Sequence, residues 1–335
     1  MDLQQKTGRF GICVILIAIF FRLCLAGFPQ IITDHLVQIY AVSLPIYLET
    51  GRNVRFSASL GMFSQHVRES PDPWLPEEEK PAFSASDAEL VEVTYLCSLR
   101  PDFGELLEKP LIWNLKEEVP TVLILHTHTT ESYTQSEERY EASSSYRTLE
   151  EAHNMLCIGD AVAEILEQNG IAVLHDRQIH DYPSYNGSYT RTRETMGEYL
   201  KQYPTIQLVL DLHRDAADSG GKQLRTQTMV DGEVSAQLMF VVGTNYDAWQ
   251  ENLSLAAKLH TWLEQQNPGI MRPISLRSQR FNQDLNPGAL LVEVGAAGNT
   301  RAEALRAAGE LAEAIAAFSA GTNGEKVYTI DGVKK

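Results

Sequence analysis

The chain has 335 residues, 44% of them apolar, enough for one sizeable domain with appendages or for two small ones. Its formal net charge of −16 argues against a nucleic-acid partner, which needs a basic face, and against holding to anionic lipid by charge alone. The 4 cysteines suggest neither a disulfide scaffold nor a metal-like spacing: Cys13 and Cys24 lie in an apolar stretch, and Cys97 and Cys157 are far apart.

The first predicted element is "FGICVILIAIFFRLCLAGF", Phe10 to Phe28, apolar apart from Arg22. A helix of about 18 residues nearly crosses a hydrocarbon core of roughly 30 Å. Lys6 and Arg9 precede it, so the N-terminus should stay in the cytoplasm and the rest of the chain should lie outside. Arg22 sits toward the far end and can snorkel to that interface. A cleaved signal peptide is the rival reading. The expected localisation is the cell membrane, single-pass, with the main domain outside the cytoplasm. Residues 1–28 are then a cytoplasmic tip and transmembrane signal-anchor. Residues 29–109 are a juxtamembrane segment and a Pro- and acid-rich linker containing "ESPDPWLPEEEKPAFSASDAE". A compact domain is expected over 110–320, and a tail over 321–335.

From Pro120 onward strands alternate with helices. "TVLILH" reads as a strand. "HNMLCIGDAVAEILEQNG" carries apolar residues at helical spacing and closes on Gly170. "IAVLHD" is a second strand, "RTRETMGEYLKQY" a helix and "IQLVLDLH" a third strand. "LRTQTMVDGEVSAQLMFVVG" reads as a hairpin turning at Asp231-Gly232. A long helix in "YDAWQENLSLAAKLHTWLEQQ", a strand in "GALLVEVG" and an alanine-rich helix over 301–318 complete the pattern. The predicted fold is an α/β three-layer sandwich with a mainly parallel central sheet, in which ligands bind beyond the carboxyl ends of the strands.

Three of those strands finish in reactive side chains: His128 after the first, His213 at the third and Glu293 within the last. Two imidazoles from different strands can hold one zinc ion, and a nearby carboxylate can take a proton from water and pass it to a leaving amine. Glu293 interrupts an apolar strand, where an unpaired carboxylate is costly; a salt bridge to Arg214 is the structural alternative. His126 shares a strand face with His128 if the strand runs that far. Candidates for a third ligand are Glu131, Glu150, Glu151 and His153.

Together "LILHTHTTESY", "HDYPSYNGSYTRTR", "LVLDLHRDA" and "LLVEVGAAGNT" resemble the stage II sporulation protein P family, over roughly residues 110–318. The resemblance implies a membrane-anchored peptidoglycan hydrolase of endospore-forming bacteria with the zinc-dependent N-acetylmuramoyl-L-alanine amidase fold. Such enzymes cut the amide between glycan and stem peptide, and also peptide cross-links. They act in engulfment with a glycan-cleaving partner similar to stage II sporulation protein D. Carried over by residue, the resemblance makes His128 and His213 metal ligands and Glu293 the catalytic glutamate. It makes Glu150, four residues ahead of the helix-starting Asn154, the middle metal ligand, with Glu131 the second choice. Arg214 and Tyr185 are the implied substrate contacts. The competing functional class is a wall-binding or scaffolding protein on the same fold with an inactive site; a metal-dependent esterase or phosphatase is disfavoured by the lack of a dense Asp/His cluster for two metals.

Overall fold

The computed structural model describes residues 81–111, 113–134, 146–216, 218–219 and 222–319. The expected anchor, most of the linker and the tail lie outside those residues. Among the described residues, no helix is long and apolar enough to cross a membrane.

Among the described residues β5 (Asp218–Ser219) and β6 (Lys222–Gln223) pair as a two-stranded ribbon, and seven other strands form one sheet. In chain order they are β1 (Val93–Leu96), β2 (Val122–Leu125), β3 (Val173–His175), β4 (Leu208–Asp215), β9 (Leu238–Gly243), β10 (Ile274–Arg277) and β11 (Ala289–Ala296). Their spatial order is β1-β10-β9-β11-β4-β2-β3. Neighbours pair in parallel throughout, except that β9 runs antiparallel to β11. The central strands are apolar on both faces because helices cover both: every residue of β2 and β9 is buried.

On one face, Val122, Ile124, Leu210, Leu212 and Val292 pack in a single large core. That core includes residues of α2 (Met155–Gln168), α4 (Trp249–Gln266) and α5 (Arg301–Ser319), and of the short α1 (Phe103–Glu108). On the other face, Leu123, Leu125, Val209 and Ala289 form a smaller cluster with Met196 of α3 (Ser188–Gln202). The start of α2 is fixed by Asn154, whose side chain accepts the Leu156 N–H at 2.9 Å. Gly170, at φ 77°, follows its end in the left-handed conformation that closes many helices.

The predicted alternation of strands and helices is present, with three differences. The expected hairpin at Asp231-Gly232 is a small two-stranded ribbon of β7 (Thr228–Val230) and β8 (Glu233–Ser235), separate from the main sheet. The apolar run after it is β9, which turns back into the sheet beside β11 and supplies the antiparallel pair. Finally, β1 lies ahead of residue 110, the expected domain start, and pairs with β10 at the sheet edge. Both strands are only 4 residues long, too short to show a period.

Because β2, β4 and β11 are mutually parallel across two adjacent pairings, their carboxyl ends lie along one edge. That edge carries the site.

Candidate active site

After Leu125 the chain turns through residues 127–130. Alternation along β2 sends Val122 and Ile124 toward α2, and His126 continues that row into full burial. Its Nδ1–H donates to Leu212 O at 3.1 Å, and its Nε2 lies 2.9 Å from Nε2 of His175. Gly159 of α2 rests on this pair. A Cβ there would stand 2.7 Å from His126 Nε2 and nearer still to His175 Nε2, so any larger residue would force the two rings to shift. Burial, then the neighbouring His175, pushes His126 down to about 3.

Continued alternation would place His128 on the same side. Instead the turn rolls it to the opposite face, where its ring lies 5.2 Å, edge-on, from that of His213. Tyr185 stacks on it at 4.5 Å, Tyr189 meets it edge-on at 5.6 Å, and Ser188 Oγ lies 3.4 Å from its Nδ1. The turn is tied down at several points. Thr127 gives its N–H to Asp211 Oδ1 at 2.8 Å and its hydroxyl to Asp211 Oδ2 at 2.6 Å. Thr130 grips Asp181 in the same way, at 3.1 and 2.6 Å. Tyr133 donates to Val294 O of β11 at 2.9 Å. The segment "HTHTTESY" therefore stitches the end of β2 to β4, to the loop before α3 and to β11.

His213 stands on the same face of β4 as Val209 and Asp211, and Glu293 is its register partner on β11. Glu131 comes in from the turn, with Oε2 3.4 Å from His213 Nδ1. It accepts the Arg214 N–H at 3.2 Å and the Arg147 Nη2–H at 3.3 Å. Gly295, at φ 68°, follows Glu293; an added Cβ there would lie 2.8 Å from Ala236 Cβ, which accounts for the glycine in "EVG".

Electrostatics divide the group. Burial, with Glu131 opposing and His213 assisting, brings His128 down to about 4, so its imidazole is neutral. Burial also presses on His213, but the carboxylates of Asp211 and Glu131 outweigh it and raise that ring well above the ordinary range. Burial works against ionising Glu131, yet Arg214 and His213 prevail and hold it down at about 2. Glu293 has no such rescue: burial drives it up to about 8.

The structure thus brings together His128, His213, Glu131 and Glu293, with Tyr185 over His128. It does not bring Glu150, Glu151 or His153 to them. Glu150 heads the short helical turn Glu151–His153, its side chain 70% exposed and 3.9 Å from His153 Nε2. Glu151 pairs with Arg177 at 2.7 Å. Arg214 is also placed differently from a substrate contact. It follows His213 on the strand, so it points to the other face, where its Nε–H donates to Ser132 O at 3.0 Å. Its Nη1 lies 3.6 Å from Glu131 Oε1, and the alternative pairing of Arg214 with Glu293 is not formed. Arg147, which bridges Glu131 and Asp181 and lies 4.8 Å from the Tyr185 ring, gave no signal in the sequence. Asp211 did leave one, as a lone charge in the buried run "LVLDLH".

Among the described residues, no three His, Cys, Asp or Glu side chains already surround a common point. The donor chemistry nonetheless fits zinc: two imidazoles and a carboxylate, all three side chains nearly buried. His213 Nε2 and Glu293 Oε2 are buried with no hydrogen-bond partner. Asp211 Oδ1 is 2.9 Å from that Nε2, yet the two are not aligned as a hydrogen bond. Such orphans are what a bound ion relieves.

Residues 65–316 match the family model described as stage II sporulation protein P. A curated relative, "Stage II sporulation protein P" of Bacillus subtilis (strain 168), is 29% identical over 225 residues, covering 64% of this chain. The matched part spans about half (54%) of that relative's length. Among solved structures, the N-acetylmuramoyl-L-alanine amidase AmiC2 of Nostoc punctiforme is 18% identical, covering 59% of this chain and 94% of its own, with a TM-score of 0.35. The CwlD amidase of Clostridioides difficile, in complex with the GerS lipoprotein, is 12% identical over the same shares, with a TM-score of 0.36. Likeness at this level carries nothing further about the site.

Proposed function

The chain belongs to the stage II sporulation protein P family, and from that premise we propose that it is a zinc-dependent peptidoglycan hydrolase. The reaction is cleavage of the amide between N-acetylmuramic acid and the L-alanine of the stem peptide, with peptide cross-links as a second substrate. One observation carries the reading: His128, His213, Glu131 and Glu293 meet at the carboxyl edge of three parallel strands, with buried atoms unpartnered on two of them.

In this reading His128 and His213 hold the metal, and Glu131 is the third protein ligand in place of Glu150. Zinc bound there would polarise the scissile carbonyl and acidify a water molecule. His128 is already neutral and ready to ligate. Glu293 is the general base. It is the register partner of His213 on the neighbouring strand, takes the proton of the attacking water and delivers it to the leaving amine nitrogen. Its raised affinity for protons suits the delivery step. Tyr185 and Arg147 line the approach and would meet the substrate first. Arg214 acts behind them, fixing Glu131.

The chain would act outside the cytoplasm from a membrane anchor at residues 1–28, on the wall that is remodelled during engulfment, beside a glycan-cleaving partner similar to stage II sporulation protein D. The test is digestion of purified sacculi by the full chain, with and without zinc, followed by analysis of the products. Free stem peptides and peptide-less glycan, lost on chelation and restored by zinc, are expected. Sacculi bound but left intact under zinc would favour the wall-binding class instead.

A further inference from the structure

The turn that carries His128 has an unusual anchorage, and one carboxylate in it touches both halves of the site. Thr127, immediately before His128, gives its backbone N–H and its hydroxyl to the two oxygens of Asp211, at 2.8 and 2.6 Å. Asp211 stands two residues before His213 on the same strand face, and its Oδ1 lies 2.9 Å from His213 Nε2. Thr127 is fully buried and Asp211 is 7% exposed. We propose that the Thr127–Asp211 pair is a positioning device that sets His128 and His213 against each other for metal binding. This rests on the zinc reading above.

Three physical points support it. First, a turn leaves backbone N–H groups outside any ladder, and a buried one must find an acceptor. Asp211 supplies that acceptor to Thr127 at the point where the chain must roll His128 from the α2 side to the α3 side. Second, two hydrogen bonds from one residue to one carboxylate fix orientation as well as distance, as a single bond does not. Third, Asp211 reaches the His213 ring as well as the turn, so one carboxylate bears on the orientation of both imidazoles, as outer-shell carboxylates do for metal-bound histidines. Thr130 and Asp181 repeat the grip on the far side of His128, at 3.1 and 2.6 Å, but Asp181 meets Arg147 rather than a candidate ligand. Only the Asp211 clamp joins two candidate ligands. Asp211 touches no substrate in this scheme and acts through His213 and Thr127.

The experiment measures zinc affinity of the full chain by competition with a chromogenic chelator, alongside thermal melting, for wild type and for Thr127→Val, Thr127→Ser and Asp211→Asn. Loss of an outer-shell partner typically costs about 10–100-fold in metal affinity. Thr127→Val should lose affinity in that range in protein that still melts cooperatively, Asp211→Asn should do the same, and Thr127→Ser should restore most of it. A merely structural clamp would lower the melting temperature and leave the affinity of the folded protein unchanged. If Thr127→Val does not fold, Asp211→Asn against Thr127→Ser decides: a loss in the first with retention in the second supports positioning, and wild-type affinity in both overturns it. Wild-type affinity in a folded Thr127→Val overturns it likewise. A wild-type chain that binds no zinc overturns the functional reading and this proposal with it, whereas zinc-binding wild type beside unaffected variants overturns this proposal alone.

Discussion

His126 and His128 are separated by one residue, and their surroundings differ in every respect that matters for chemistry. Around His126 each polar atom is committed: Nδ1 to a carbonyl of β4, Nε2 to His175, and His175 Nδ1 to Asp160 at 3.0 Å. Gly159 closes the pocket over the pair. Around His128 the neighbours are an aromatic stack, a second histidine and two carboxylates, and buried polar atoms are left over. The first region is satisfied and reads as structure. The second leaves buried polar atoms unpaired and reads as a binding site. The difference arises from four residues of turn, which break the alternation that would have put both rings on one face.

The largest expected effect lies on the unsatisfied side. Glu293→Gln is nearly isosteric and should keep fold and zinc while turnover of sacculi falls by about 10²–10⁴-fold, because glutamine cannot carry the proton. A variant with wild-type turnover would remove Glu293 from the chemistry. Next comes the third ligand. Glu131→Gln should weaken zinc by at least roughly the tenfold that outer-shell changes cost, read by chelator competition. Equal affinity in that variant would return the role to another acid.

Protonation should separate the regions by sign. His126 is held down at about 3 by burial and His175, so the folded state resists a proton that the unfolded chain accepts below its ordinary value of 6.5. Its contribution to stability is present above that value and is lost as pH falls toward about 3. Glu293 is pushed up to about 8 from 4.5, so the folded state keeps a proton that the unfolded chain releases. Metal-free protein should therefore lose stability as pH rises from 4.5 through about 8, and Glu293→Gln should flatten that limb. Chemical denaturation across the pH range, with and without zinc, measures both slopes. An unchanged alkaline limb in the glutamine variant would assign it to other groups.

Gly159→Ala tests the satisfied side alone. Alanine gains about 1 kcal/mol in helix propensity, but overpacking against two buried rings costs typically 1–3 kcal/mol. A net loss of up to roughly 2 kcal/mol is expected, with zinc affinity intact. A loss of zinc here would show that the two regions are coupled. The smallest effect belongs to Glu150→Gln. Its side chain is mostly exposed, so affinity and melting should stay within error of wild type. A marked loss of zinc would mean that the loop around Glu150 closes onto the site when metal binds.

Much of this was readable in the sequence, for reasons tied to particular residues. The buried strands and their neighbouring helices announced themselves by continuous or periodic apolar runs, and His213 and Glu293 stood out as polar interruptions within them. What could not be read was the turn. Alternation past Leu125 says nothing about a chain that has left the sheet, so the divergence of His126 and His128 was hidden. So was the approach of Glu131, which depends on the same turn. Arg214 could have been placed, since a residue next to His213 on a strand faces the other way. The pairing of Thr127 with Asp211 joins residues on β4 and at the end of β2 that only the sheet brings together.

The most direct test is zinc content. The full chain and its His126→Ala, His128→Ala and His213→Ala variants are each loaded with zinc, desalted and assayed for metal and for cooperative melting. The account predicts about one zinc per chain in wild type and in His126→Ala, the latter less stable, and little or none in the folded His128→Ala and His213→Ala proteins. Zinc retained at full stoichiometry in both of the last two, or lost with His126 alone, would contradict it.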